Sequence, residues 1–138
     1  MANYTSTFRT NYFQVTDKAK FQNAVSSMYV SDGNVEVYEE NGCFMFGGDG
    51  NLMGAIPEPA EEGDEPDFEL MVEQLQNVLP DGEAILLMTA GHEKLRYVVG
   101  TTLVITKKEH KFIDMKDVAM IAAREMLDDP KWNTRCEY

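Results

Sequence analysis

Residues 83–106, EAILLMTAGHEKLRYVVGTTLVIT, decide the fold of this 138-residue chain. Their first part, 84–88, is a continuous apolar run, which is typical of a central strand buried on both faces. The second part, 95–106, alternates apolar and polar side chains and predicts another strand, with Gly100 at a bulge or bend. A sheet whose middle is formed by these strands is therefore expected.

Further elements are predicted on both sides of this stretch. Asn41-Gly42 is the strongest hairpin signal in the chain. Apolar spacing predicts strands over 12–15, 35–40, 43–46 and 110–113, and helices over 17–28, 67–79 and 114–127. The order β-α-β-β-α-β-β-β-α predicts an α+β fold, a mainly antiparallel sheet with about three helices packed on it. Leu75 and Leu86 are expected in the core, with the apolar stripes of the second and third helices covering the sheet.

The length of the chain predicts a single domain, residues 1–138, which is long enough to bury a core. Within it, residues 47–66 are rich in glycine, proline and acids. Because glycine and proline interrupt regular structure and like charges repel, a flexible acidic loop is expected there.

The compartment is predicted from what the sequence lacks. No apolar run approaches the ~20 residues that cross a bilayer, and residues 1–13 have no signal-peptide pattern. We therefore expect a cytoplasmic protein without a membrane partner. Cys43 lies in an apolar run and is expected to be buried, whereas Cys136 is expected to be exposed, and both are expected to be free thiols.

Charge is distributed very unevenly along the chain. Residues 21–93 hold sixteen of the 24 acids and none of the 12 Lys and Arg residues. An electrostatic field of one sign indicates which partners a protein attracts, not which fold it adopts. It favours a basic protein surface as partner and disfavours direct binding of DNA or RNA.

The acids of this block fall on a predicted strand, a loop and a helix, so they are candidates to converge on one face. Such a face is the predicted partner-binding site, with a solvated surface as the simpler interpretation. Its residues are Glu36, Glu40, Glu58, Glu61, Glu62, Asp64, Glu65, Asp67, Glu69 and Glu73.

Two polar motifs raise the question of catalysis. His92 beside Glu93 and Lys94 has the residue types of a general base with an orienting acid. In a turn, however, consecutive residues point in different directions, and no nucleophile is near in sequence. Residues 47–51, GGDGN, lack the Lys-Ser/Thr ending of a P-loop and the distal Glu of an EF-hand. We therefore expect no enzyme, no cofactor and no metal site, with a small hydrolase or acetyl-transfer enzyme as the rival interpretation.

Three segments together carry a resemblance to a known group of proteins. They are RTNYF at 9–13, GHEKLRYVVG at 91–100 and WNTRCEY at 132–138. These segments resemble small acidic proteins of mobile elements and phages of Gram-positive bacteria. The resemblance implies a bacterial host cell and a setting in which inhibitors of restriction enzymes and CRISPR nucleases occur. It implies no catalytic residues.

The sequence thus leads to two functional hypotheses. The first is a non-catalytic inhibitor of a host defence system, a CRISPR nuclease or a restriction enzyme, whose acidic face imitates DNA. The alternative is a structural or adaptor protein of a conjugative element, in which the acids only confer solubility.

Overall fold

A six-stranded sheet is the frame of the fold in the computed structural model, which describes residues 4–136. Residues 1–3 and 137–138, the latter in the motif at 132–138, lie outside the described residues. The elements are β1 (Thr5–Arg9), α1 (Lys18–Ser26), β2 (Met28–Ser31), β3 (Glu36–Glu40), β4 (Cys43–Asp49), β5 (Asn51–Ala55), α2 (Phe68–Gln76), β6 (Ala84–Glu93), β7 (Tyr97–Thr106), β8 (His110–Asp114) and α3 (Met115–Leu127).

The order of strands in the main sheet is β3-β4-β1-β6-β7-β8, and every neighbouring pair is antiparallel. β2 and β5 form a separate antiparallel pair. The predicted α+β class, the antiparallel sheet and the order of elements are confirmed, with β2 and β5 as additional strands.

Strand alternation gives the sheet two different faces. The inner face, which carries Phe8, Phe46 and Ile85, is covered by α1 and α2. The outer face carries the intervening residues, such as Arg9, Met88 and Thr102. The core lies on the inner face and consists of Phe8, Phe13, Phe21, Phe44, Phe46, Ala55, Met71, Val72, Leu75, Val78, Leu79, Ile85, Leu87, Leu103 and Ile105.

The prediction that residues 84–88 are buried on both faces is wrong. Ile85 and Leu87 are 0% and 5% exposed, whereas Leu86 and Met88 are 38% and 39% exposed. The reason is that α1 and α2 both pack on the inner face, so the alternate residues of β6 have no helix pressed against them. Leu75 of α2 lies in the core as expected, and Leu86 does not.

The third helix has the predicted bounds but not the predicted packing. Asp114 caps it by accepting a 2.8 Å hydrogen bond from the backbone N–H of Lys116, which satisfies one free donor of the first turn. None of the residues of α3 is buried. Helix α3 contacts β7 and β8, where Met115 packs over Gly100, so its apolar stripe covers the sheet only in part.

The first strand lies earlier than predicted. Strand β1 is Thr5–Arg9, whereas the predicted strand at 12–15 is reduced to a bridge between Phe13 and Phe44. Phe13 is fully buried and stands edge-on to Phe21 with ring centroids 5.5 Å apart. Phe13 therefore anchors this segment in the core, while the earlier residues Thr5–Arg9 pair in the sheet.

The predicted loop at 47–66 is shorter than expected. β4 continues to Asp49 and β5 covers residues 51–55, so the irregular segment is 56–66. Gly47 permits this continuation, since a Cβ there would lie 2.7 Å from the carbonyl oxygen of Phe8 on β1. At this position glycine indicates close approach of two strands rather than a loop.

The longest helix is α3, with 13 residues. In the part of the chain described, none of the helices is long and apolar enough to cross a membrane. Both cysteines are free thiols, Cys43 half-buried and Cys136 exposed. The expectation for Cys136 is confirmed, and that for Cys43 overstated its burial.

Candidate partner-binding surface

The acidic loop leaves the fold and returns to it at nearly the same point. Ala55 and Asp67 exchange two backbone hydrogen bonds, of 3.0 and 2.8 Å, which close residues 56–66 at their base. Gly54 makes this closure possible, because a Cβ would lie 2.7 Å from the backbone of Asp67. A loop whose ends meet in this way projects its middle, with its carboxylates, into water.

Within the loop, one acid has a structural role. The side chain of Asp64 accepts a 2.6 Å hydrogen bond from the backbone N–H of Glu61, and the N–H of Asp64 donates to the Glu61 carbonyl at 3.1 Å. This pair of bonds forms a small turn. Glu62 and Glu65 are exposed, and the structure gives their side chains no hydrogen bond among the described residues.

Helix α2 continues the acidic stretch. Asp67 caps it, with its carboxylate accepting a 3.1 Å hydrogen bond from the N–H of Leu70. Glu69 and Glu73 are exposed on the side away from Met71 and Leu75, which are buried. The amphipathic pattern thus fixes the two carboxylates on one solvent-facing side of the helix.

Eight of the ten predicted site residues lie on one continuous stretch, residues 58–73, which comprises part of the loop and most of α2. We call this set the acidic loop–helix surface, and all of its members are exposed. It consists of Glu58, Glu61, Glu62, Asp64, Glu65, Asp67, Glu69 and Glu73.

The other two predicted residues lie elsewhere. Val37 on β3 pairs with Phe46, which points to the core, so Glu36 and Glu40 project from the outer face. Helix α2 covers the inner face. Glu36 and Glu40 therefore lie on the opposite side of the sheet from α2, and the predicted convergence of all ten acids is not observed.

Glu36 also alters the chemistry of its neighbour on the outer face. The Tyr38 hydroxyl donates a 3.3 Å hydrogen bond to the Glu36 carboxylate. The negative charge of Glu36, together with this hydrogen bond, raises the pKa of Tyr38 above its ordinary value. The phenol therefore stays neutral to a higher pH, since its anion would be repelled by the carboxylate.

Charge compensation is sparse in the described residues. Two ion pairs occur, between Lys18 and Glu39 at 3.3 Å and between Lys107 and Asp81 at 4.0 Å. Neither involves a member of the acidic loop–helix surface. Because residues 21–93 contain no Lys or Arg, this surface has no cation within its own part of the sequence.

The His92–Glu93 motif lies at the end of β6 rather than in the turn. His92 pairs with Val98 and Glu93 with Tyr97, so consecutive side chains project from opposite faces of the sheet. Between residues 4 and 136, no three side chains of His, Cys, Asp or Glu are placed to hold a metal ion. The geometry does not join His92 and Glu93 into one site.

A concavity that was not predicted lies beside α3. It is an open groove of about 900 Å³ between the outer face and α3, which we call the outer groove. Met45 and Met88 lie on its floor, and Met115 and Val118 of α3 form one wall. Gly100 was an available signal, because a glycine inside a strand indicates close approach, and Met115 of α3 packs over it.

In comparisons with known proteins, no family model, no curated protein and no solved structure matches the chain. The resemblance to proteins of mobile elements therefore stays a prediction. The role of each residue has to be argued from its position in this structure.

Proposed function

We propose that this protein is a non-catalytic inhibitor of a host nucleic-acid-processing defence system, a CRISPR nuclease or a restriction enzyme. Its contact would be the acidic loop–helix surface, placed in a Lys- and Arg-lined channel that otherwise holds DNA. Glu36 and Glu40, which project from the other face of the sheet, are not part of this contact.

The observation that carries the proposal is the exposure of eight carboxylates along residues 58–73, none of them in an ion pair with a described residue. A surface that only has to be soluble is served by interspersed charges of both signs, which avoid self-repulsion. An uncompensated field of one sign attracts a surface of the opposite sign.

The helix contributes a second argument. Glu69 and Glu73 are four residues apart on the exposed side of α2. Like charges at this spacing destabilise a helix by about 0.2–0.5 kcal/mol. A cationic partner removes this cost on binding, so the pair favours association over the free state.

The chemistry of the partner follows from the carboxylate. Arg binds carboxylate and phosphate with the same forked, charge-assisted hydrogen bonds, so a DNA channel can accept a carboxylate in place of a phosphate. Complementary fields also accelerate the encounter, and this acceleration is lost as salt screens the charges.

The proposal is tested by capture from a host-cell lysate with two charge-reversed variants. One carries Glu61→Lys with Glu62→Lys, which lie in the loop and leave the Asp64 turn and the Asp67 cap in place. The matched control carries Glu109→Lys with Glu125→Lys, which are exposed at the β7–β8 turn and on α3. Both variants change the net charge equally. A difference in capture between them is therefore due to the position of the substituted residues.

We expect the parent and the control to capture a nuclease, DNA to compete for that capture, and the loop variant to lose it. The same ranking is expected when the captured nuclease is purified and its cleavage of DNA is assayed. If the amount of captured protein does not change with the loop substitutions, with salt or with added DNA, the proposal is contradicted. That outcome would favour the adaptor hypothesis, in which the acids only confer solubility.

A further inference from the structure

The outer groove is open although its surroundings are apolar. Its floor is the outer face of the sheet, where Met88 is 39% exposed, and its wall is α3, where Val118 is 52% exposed. Exposed apolar surface that is rimmed by polar residues often marks an interaction site. The groove therefore resembles one side of a protein–protein interface.

Helix α3 supports this interpretation independently. Besides Val118, it exposes Met115, Ile121 and Met126, and it has no buried residue. Isolated helices shorter than about 12–15 residues are marginal in water, and most helices in proteins are stabilised by packing of an apolar side. Helix α3 contacts β7 and β8, but a single copy of the chain covers its apolar side only in part.

Charged residues at the two edges of the outer face indicate which partner this face binds. Strand β3 is one edge of the sheet and projects Glu36 and Glu40 from the outer face; we call these the acidic edge. Strand β8 is the other edge, where Lys111 projects from the same face, and Lys108 lies in the preceding turn; we call these the basic edge. None of these four residues forms an ion pair with another described residue.

We propose that the outer face binds a second copy of this chain, forming a dimer with a two-fold axis parallel to the strands. This rotation places the acidic edge of each copy on the same side of the dimer as the basic edge of the other, so both electrostatic attractions act at once. Each α3 then lies between the two sheets and packs against the other copy's outer groove. A two-fold axis across the strands would instead place the acidic edges on each other.

This inference goes beyond the proposed function and does not rest on it. The acidic loop–helix surface belongs to α2 and the loop before it, on the inner side of the sheet. The dimer leaves that surface free in both copies. The loop residues substituted in the test of inhibition lie outside the dimer interface, so either proposal can fail alone. The control with Glu109→Lys and Glu125→Lys is also sedimented, because these residues lie at the β7–β8 turn and on α3.

The first test is sedimentation equilibrium of the full chain over a range of concentrations, with the variant Val118→Glu and the control Leu95→Glu. Val118 is half exposed, so a charge there leaves the monomer folded, as circular dichroism will check. Leu95 is 83% exposed at the β6–β7 turn, outside the groove. We expect the parent and Leu95→Glu to dimerise and Val118→Glu to raise the dissociation constant at least tenfold, because a charge would be buried unpaired.

The second test identifies the pairing of the edges. Glu36→Lys and Lys111→Glu should each raise the dissociation constant roughly tenfold, since each substitution affects two equivalent contacts of modest strength. The double variant, which exchanges the two charges, should restore the parent value. A parent that remains monomeric overturns the proposal, whether or not the groove then binds the apolar dye ANS. A dimer that survives Val118→Glu, or a double variant that is weaker than both single variants, overturns it as well.

Discussion

Leu86 and Leu87 are neighbours in β6 with the same side chain and opposite surroundings. Leu87 is 5% exposed on the inner face, whereas Leu86 is 38% exposed on the outer face. We expect Leu87→Ala to lower the free energy of unfolding by about 2–5 kcal/mol, because it removes buried methyl groups and leaves a cavity. Leu86→Ala should cost on the order of 1 kcal/mol, since it removes partly solvated surface.

Denaturant unfolding of the two variants measures this difference directly. Leu75→Ala on α2 belongs to the same comparison, because Leu75 is fully buried and should resemble Leu87. Equal midpoints for Leu86→Ala and Leu87→Ala would mean that the two faces of the sheet are equally packed, contrary to the structure.

Tyr38 provides a second prediction at this scale. The Glu36 carboxylate raises the pKa of the Tyr38 phenol through its charge and a 3.3 Å hydrogen bond. Glu36→Gln removes the charge, so the Tyr38 titration should move to lower pH. The Tyr38 ring resonances, followed by NMR as pH is raised, report the shift. A titration that Glu36→Gln leaves in place, or moves upward, would contradict the assigned cause.

At the scale of the element, helix α2 depends on its first residue. The Asp67 carboxylate accepts a hydrogen bond from the N–H of Leu70, and Asp67 also closes the acidic loop through its backbone. Asp67→Ala should lower the free energy of unfolding by about 1 kcal/mol. The control is Glu65→Ala, an exposed acid two residues earlier, expected to change stability by no more than about 0.5 kcal/mol. Thermal unfolding that ranks the two variants in the reverse order would mean that the cap contributes little.

The helices and most strands could be predicted because their signals are local. Apolar spacing predicts helices that begin at 17, 67 and 114, and Asp17, Asp67 and Asp114 cap these helices in the structure. Packing partners are not local. The run at 84–88 has the same composition whether one face or both are buried, so Leu86 could not be assigned. Likewise, the stripe on α3 predicts a helix without saying what covers it.

The exposure of the ten acids could be predicted from their chemistry, but their convergence could not. Convergence depends on whether each acid lies at an odd or an even position of its strand, because alternate residues of a strand project from opposite faces. Glu36 and Glu40 project from one face of β3. Val37 projects from the other face, on the same side as Phe46 of the core. The order of strands in the sheet decides which set of alternate residues faces α2. This order depends on pairing between strands that are distant in sequence.

At the scale of the whole molecule, charge is concentrated. Sixteen acids within residues 21–93 repel one another in the folded state, where they are held close. We expect the free energy of unfolding to rise as sodium chloride is added up to physiological ionic strength, at which the screening length is about 8 Å.

The variant with Glu61→Lys and Glu62→Lys should show a weaker salt dependence, because it contains fewer repulsive pairs. Urea is the suitable denaturant, since it is uncharged and leaves the ionic strength under control. If salt lowers the stability of the parent, favourable ion pairs outweigh the repulsion, and the acidic block does not destabilise the folded chain.

The place of β1 in the sheet has a consequence for how the protein is made. Thr5–Arg9 lies between β4 and β6, so both of its neighbours are translated after it, β6 much later than β4. Pairings between distant parts of a chain form slowly, because a long loop has to close first. A nascent chain that ends before Ala84 can pair β1 on one side only, which leaves its other edge open to other chains. The middle of the sheet is therefore completed only after β6 has been made, although β1 precedes β6 by most of the length of the domain.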